Sequence, residues 1–112
     1  MEFKGTSGPW VHAGGNSLTE TIGGAINGDG KTLCLILGKG IGKEKATANA
    51  KLMAAAPELL SALQGIQQSM AKYIDVANNI GMDVTADGFY LGHAMEVEEQ
   101  ARAAINKALG RE

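Results

Sequence analysis

Hydrophobic and polar residues follow two different patterns along this chain, and the change comes near residue 43. In the first part, short apolar runs are separated by glycine-rich segments, and residues 17–22 alternate polar and apolar as a half-buried strand does. Residues 10–13 and the more apolar residues 31–37 also have strand character. The pattern predicts an antiparallel meander of about three strands over residues 1–42.

One turn within this meander is marked by its residues. Asn27-Gly28-Asp29-Gly30 separates Ile26 from Lys31. Asn-Gly and Asp-Gly pairs tolerate the positive φ angles of a two-residue hairpin turn, which most residues avoid. We therefore expect a β-hairpin at this segment.

From Lys43 onwards the apolar residues recur at helical spacing. Their intervals alternate between four and three residues, which is a heptad pattern: Leu52, Ala56, Leu59, Leu63, Ile66, Met70, Tyr73, Ala77 and Ile80. Pro57 interrupts this pattern, and proline is tolerated in the first turn of a helix but not in its interior. A long helix over residues 43–80 therefore either kinks at Pro57 or begins again there. A loop over residues 81–92 and a C-terminal helix over residues 93–110 complete the chain.

The predicted fold class is α+β, with a small N-terminal antiparallel sheet, a long helix and a C-terminal helix. A chain of 112 residues is expected to form a single domain over residues 1–112. A helix over residues 44–79 would be about 54 Å long, whereas a compact chain of this length has a radius of gyration of about 13 Å. Because the apolar side of such a helix would remain exposed to solvent in a monomer, we expect a homo-oligomer.

Composition and charge exclude several classes of protein. The net charge is −2 and apolar residues make up 45% of the chain, so it is a globular protein without the basic face that DNA or RNA binding requires. No stretch approaches the roughly 18 apolar residues of a membrane span, and the N-terminus lacks a signal peptide. The single cysteine, Cys34, excludes an internal disulfide and is predicted to be a buried small hydrophobe.

The chain shows no arrangement of residues that is typical of a catalytic or metal site. His12 and His93 are its two histidines and do not have the spacing of paired zinc ligands. The adjacent carboxylates of Glu98 and Glu99 point apart on a helix, so they do not form a local acid–base pair. We therefore predict that the protein is not an enzyme and binds no cofactor or metal.

A glycine- and lysine-rich segment connects the last predicted strand to the long helix. It resembles a phosphate-binding loop but has neither the Walker A spacing nor the dinucleotide fingerprint. Residues 31–51 hold five lysines and one acid, and helix N-terminal amides attract anions. Lys39, Lys43 and Lys51 are therefore candidate anion ligands, the alternative being a solvated connection.

A second candidate set lies before and within the last helix. Residues 83–99 hold five acids and no lysine or arginine. Phe89 and Tyr90 have the chemistry to stack on a nucleotide base, and Asp87 to accept a hydrogen bond from a ribose or an amine. Arg102 has the fork geometry for a phosphate. The alternatives are a hydrophobic plug for the aromatic pair and a surface ion pair for Arg102.

Three strings give the chain a family resemblance: Thr6-Ser7-Gly8-Pro9-Trp10, residues 48–63 (ANAKLMAAAPELLSAL) and residues 101–108 (ARAAINKA). Together they resemble a widespread set of small tailed-phage proteins. One group that is similar is the first type of viral anti-Thoeris protein, which sequesters cyclic ADP-ribose isomers, and in some members cyclic oligonucleotides, without degrading them.

This resemblance implies an N-terminal sheet, long C-terminal helices and a homodimer or hexamer with ligand sites at subunit interfaces. By position, Asp87 and Arg102 fit the family's loop acid and last-helix arginine, and Phe89 or Tyr90 its base-stacking aromatic. Lys39, Lys43 or Lys51 would replace an arginine that the family has earlier in the chain.

The expected function is thus non-enzymatic capture of a cyclic nucleotide immune signal in the host cell cytoplasm, without nucleic-acid or membrane partners. The alternatives are an inhibitor that binds a host defence protein directly and an accessory phage protein of another role.

Overall fold

A computed structural model of the protein describes residues 3–14, 23–79 and 91–111. Three strands are followed by three helices: β1 (Trp10–Ala13), β2 (Ala25–Gly28), β3 (Lys31–Leu35), α1 (Lys43–Ala54), α2 (Ala56–Asn79) and α3 (Leu91–Ala108). The chain forms two compact units, residues 1–59 and residues 60–112. A small N-terminal antiparallel sheet followed by helices confirms the predicted α+β class.

The sheet is a three-stranded antiparallel meander in the order β1-β2-β3. The predicted hairpin is confirmed, with Asp29 (φ 53°) and Gly30 (φ 73°) in the two-residue turn between β2 and β3. The middle strand, β2, was not predicted, because Ile26 is its only residue with a strong preference for strands. The strand predicted over residues 17–22 lies outside the described residues.

An irregularity in the pairing of β2 with β3 determines which β3 residues face the core. Cys34 is opposite Ile26 and Thr32 is opposite Asn27, so Leu33 is an extra residue in β3. Leu33 packs against the core, while Cys34 is exposed. The expectation of a buried Cys34 was therefore wrong, because an extra residue shifts the alternation that an apolar run predicts.

The core of the first unit lies between the sheet and α1. Its buried residues are Ile26 and Ile36 from the sheet side and Ala46 and Ala50 from α1. Ala46 and Ala50 are one helical turn apart and both are 0% exposed, so the helix approaches the sheet through its smallest side chains.

Between α1 and α2 the helical path is interrupted at a single residue, Ala55. Its N–H donates to the carbonyl oxygens of Lys51 and Leu52, both at 3.2 Å, and its own carbonyl accepts from Leu59 N at 2.9 Å. Pro57 is then the second residue of α2, where its missing N–H costs no intrahelical hydrogen bond. Of the two predicted alternatives at Pro57, the structure shows a helix that begins again.

The second unit contains most of α2 and the whole of α3. Gln67 of α2 donates a hydrogen bond to Glu98 of α3, which brings the two helices side by side. α3 ends as expected, with Gly110 just beyond it at φ 73° and Arg111 N donating to Asn106 O at 2.7 Å. Among the described residues, every helix is too short or too polar to cross a lipid bilayer.

The predicted heptad residues of α2 divide between covered and exposed positions. Leu63 and Met70 are half-buried and Ala77 is buried. Ile66 and Tyr73 are exposed by 54% and 40%. The pattern therefore combines one covered side of α2 with a second side whose large apolar residues are exposed.

Candidate functional site

One face of α1 carries two of the lysines that were predicted as anion ligands. Lys43, Thr47 and Lys51 are spaced four residues apart, so they lie one above another along the helix. They line a shallow surface groove of about 560 Å³ together with Glu44 and Ala48. The groove thus combines two cations with a hydroxyl group that donates or accepts hydrogen bonds.

The N-terminus of α1 lies at one end of this groove. Ile41 N and Gly42 N both donate to Gly38 O, at 3.2 and 3.0 Å, in a tight turn that leads into the helix. Gly42 is the N-cap residue and no side chain caps the helix. The first main-chain bond of the helix runs from Ala46 N to Gly42 O, so the amides of residues 43–45 have no acceptor within the helix.

Two charged side chains in the first turn have opposite effects on how this helix end attracts an anion. Uncapped amides and the helix dipole favour an anion, and Lys43 adds a full positive charge next to them. Glu44 is in the same first turn and its carboxylate repels an anion there. Lys39 precedes the helix and is exposed, but it does not line the groove; it makes an interaction of its own.

Arg102, the predicted phosphate ligand of the last helix, forms an ion pair in the second unit. Its Nε lies 3.2 Å from Glu98 Oε2 and its Nη2 lies 3.4 Å from Glu98 Oε1. The Arg102 side chain is 55% exposed, whereas that of Glu98 is only 12% exposed. The structure thus shows the ion pair that the sequence had left as an alternative, with part of the guanidinium still facing solvent.

Glu98 also accepts a hydrogen bond from Gln67 of α2. The Gln67 side-chain amide and then the Arg102 guanidinium hydrogen-bond its carboxylate, and together they lower the pKa of Glu98 below its ordinary value of 4.5. The pairing of Arg102 with Glu98 follows from i, i+4 spacing on one helix. The contact with Gln67 joins two helices, and no local sequence signal indicates it.

The other predicted site residues, Asp87, Phe89 and Tyr90, lie outside the described residues. Within the described ranges, no three potential metal-ligating side chains lie together. Sequence analysis had not selected Thr47, although its position one turn from both Lys43 and Lys51 on a helix was sufficient to select it.

The comparison with known families shows which family the chain belongs to. A family model for Salmonella phage P22 protein Y8K6 matches residues 1–112. This chain belongs to that phage protein family. No curated protein and no solved structure matches it. The predicted resemblance to a family of small phage proteins is therefore confirmed, while the resemblance to anti-Thoeris proteins stays a prediction.

Proposed function

We propose that this phage protein binds a cyclic nucleotide immune signal and keeps it from a host defence effector without degrading it. The observation that supports this proposal best is the α1 groove, where Lys43 and Lys51 lie on one face beside uncapped helix amides. A cyclic nucleotide offers phosphates to the cations and amides, and hydroxyl groups to Thr47. The resemblance to signal-sequestering phage proteins points to the same function.

The proposal also includes how such a ligand would lie in the groove. Lys43 and Lys51 are eight residues apart on α1, a rise of about 12 Å along the helix axis. In our proposal, one phosphate group binds at the N-terminal end of the groove, near Lys43 and the free amides. Lys51 then neutralises a second negative group farther along, and Thr47 hydrogen-bonds the part of the ligand between them.

Further ligand contacts are proposed from the resemblance. Arg102 donates to a phosphate with the part of its guanidinium that Glu98 leaves exposed, Phe89 or Tyr90 stacks on a base, and Asp87 accepts from a ribose hydroxyl or an exocyclic amine. Lys39 is a further candidate cation in the connection before α1. The ligand is a cyclic ADP-ribose isomer or a cyclic oligonucleotide, and the protein requires no cofactor or metal.

The first experiment is a thermal-shift assay of the purified protein against a panel of cyclic nucleotides. A ligand at a hundredfold excess over its Kd stabilises the folded state by about 2.7 kcal/mol, which raises the melting temperature measurably. The absence of a shift for every cyclic nucleotide would refute the proposal. Denaturing the complex and analysing the ligand by mass spectrometry distinguishes capture from catalysis: an intact ligand supports sequestration, and a hydrolysed one identifies an enzyme.

A matched pair of variants then tests the groove. Lys51→Gln removes a cation from it, whereas Lys45→Gln removes a cation from the same helix at an exposed position outside the groove. A charged hydrogen bond contributes about 1.5–3 kcal/mol, so Lys51→Gln should weaken binding about 10- to 150-fold and Lys45→Gln much less. Equal affinities for the two variants would place the ligand elsewhere.

A second candidate function is direct inhibition of a host defence protein. The observation that favours it is the exposure of large apolar side chains in the first unit, including Leu35 (58%), Leu37 (61%) and Leu52 (65%). Large apolar side chains exposed in this number are available to a protein partner, and interaction surfaces are enriched in such side chains. This function predicts no thermal shift with nucleotides but stable co-purification of a host protein, which Leu37→Ser should abolish.

A further inference from the structure

A groove of about 710 Å³ runs along α2 in the second unit. Its lining residues recur every three or four positions and therefore form one face of the helix: Ala62, Gly65, Ile66, Ser69, Met70 and Tyr73. Ile66 is 54% exposed, Tyr73 is 40% exposed, and Val76 extends the same side at 50%. Several exposed apolar side chains on one helix face are typical of an interaction surface.

This face carries no charge over most of its length, and the exposed Lys72 and Asp75 lie beside its C-terminal end. Residues 59–71 include no Asp, Glu, Lys, Arg or His, although exposed helix positions usually carry charged side chains. Such a face offers nothing to an anionic ligand, which requires cations. An uncharged face of this kind can pair with a second copy of itself without setting unpaired charges against each other across the twofold axis.

Gly65 indicates how closely the occupant approaches. Glycine in the middle of a helix lowers helix stability relative to alanine. A Cβ added at Gly65 would meet nothing within 4 Å beyond its own helix, so the packing of the described chain does not require glycine here. Glycine at this position would allow the backbone of another helix to approach closely, because it has no side chain.

We propose that α2 pairs antiparallel with the α2 of a second copy of this chain, with the twofold axis at the level between Gln67 and Gln68. In that register each large residue of the groove meets a small residue of the partner. Tyr73 meets the partner's Ala62, Met70 meets the partner's Gly65, and Ile66 meets the partner's Ser69. Alternating large and small residues across a helix pair is how knobs pack into holes.

The antiparallel direction follows from the same residues. In a parallel pair each residue lies opposite its own copy, which sets Tyr73 against Tyr73 and leaves Gly65 against Gly65 with a gap. The contact over residues 62–73 is about 18 Å long, so the interface is small and the dimer should dissociate on dilution. This inference is independent of the proposed ligand.

Sedimentation velocity of the full chain over a range of concentrations tests the pairing. We expect the mass to rise from monomer to dimer with concentration. Ser69→Glu introduces a charge into the groove and should leave a monomer at every concentration. Gln68→Glu is the matched control, because it makes the same charge change at an exposed position about 100° around the same helix, and it should still dimerise.

Two outcomes of this experiment overturn the proposal, and a third changes the variant that tests it. An unmodified chain that stays monomeric at all concentrations shows that a second copy does not cover the groove. A Ser69→Glu chain that dimerises like the unmodified one places the dimer contact elsewhere. If the Ser69→Glu chain loses its helical circular dichroism, it has unfolded and Gly65→Gln is used instead. Glutamine favours the helix more than glycine does, so this variant should stay folded. Gly65→Gln must still prevent dimerisation, and a Gly65→Gln dimer would overturn the proposal.

Cysteine crosslinking tests the direction of the pair in a Cys34→Ser background, which removes the exposed native thiol. In the antiparallel register, Ala62 and the partner's Ala62 are about 16 Å apart along the axis, beyond the roughly 7 Å limit for a disulfide. Ala62→Cys alone should therefore give little oxidised dimer, and a mixture of Ala62→Cys and Tyr73→Cys chains should give a mixed disulfide. Efficient crosslinking of Ala62→Cys alone would show a parallel pair and overturn the proposal.

Discussion

Gly8 lies against the ring of Pro57, so that a Cβ added at Gly8 would come within 2.9 Å of Pro57 Cβ and 3.4 Å of its Cγ. The contact joins the segment before β1 to the first turn of α2. These two residues belong to two of the three strings on which the resemblance to phage proteins depends, those near the start and in the middle of the chain. Their contact explains why a glycine and a proline are suited to these positions.

The first prediction is that Gly8→Ala destabilises the protein. The proline ring is rigid, so the new methyl group can be accommodated only by a shift of backbone, and overpacking of this kind costs about 1–3 kcal/mol. The free energy of unfolding from urea titration measures the effect. Gly14→Ala is the control, because a Cβ at Gly14 meets nothing within 4 Å, and an equal loss in both variants would contradict the contact.

The second prediction concerns the close approach of α1 to the sheet. Ala50 is 0% exposed, so Ala50→Leu forces a large side chain between helix and sheet and should cost about 1–3 kcal/mol. Ala48→Leu makes the same change at an exposed position of the same helix and should alter stability by less than about 0.5 kcal/mol. Urea unfolding of both variants checks the difference; similar stabilities would show that α1 does not pack on the sheet through Ala50.

These packing relationships show how far the sequence predicts the fold. The turn at Asp29 and Gly30 was predictable because local backbone chemistry determines it. Local backbone chemistry also predicted that the long helix either kinks at Pro57 or begins again there, and the second alternative is the one observed. The strand Ala25–Gly28 was not predictable, because it is a strand through its pairing with β1 and β3 rather than through its own residues.

The candidate site shows the same division between local and distant relationships. Helical spacing was sufficient to bring Lys43 and Lys51 to one face. The exposure of Cys34 depends on an extra residue in β3, which an apolar run does not reveal. The heptad pattern of α2 predicted apolar sides, but which side is covered depends on where α3 packs.

The third prediction is a pH dependence at Glu98. Its folded-state pKa is lowered by Gln67 and Arg102, so the carboxylate stabilises the fold when it is charged. This stabilisation is complete above the ordinary pKa of 4.5 and is lost as the pH falls through the lower folded-state value. Glu98→Gln should therefore be less stable than the unmodified chain at neutral pH, and the difference should shrink in acid.

Urea titrations of the unmodified chain and Glu98→Gln at pH 7 and at several values below pH 4.5 measure this dependence. Glu96→Gln is the control, because Glu96 is exposed on the same helix. A Glu98→Gln effect that does not change with pH would show that the loss comes from packing rather than from the charge.

The fourth prediction tests the core of the second unit. Ile105 is 1% exposed on α3, and truncating a buried isoleucine to alanine costs about 2–5 kcal/mol. Met95→Ala removes a long side chain from the same helix at a position that is 49% exposed, and its effect should be well below that. Helical circular dichroism during thermal unfolding compares them; a larger effect at Met95 would mean that α3 packs through its other side.

Trp10 is the single tryptophan of the chain and belongs to the first unit, where its indole N–H donates to Thr6 O at 3.0 Å and its ring packs against the buried cluster of the sheet and α1. Its fluorescence therefore reports the unfolding of the first unit, whereas circular dichroism is dominated by the longer helices α2 and α3. If the two signals change at the same denaturant concentration, both units unfold in one cooperative step. If they separate, each unit has a stability of its own, and the chain supplies a spectroscopic probe for each without any label.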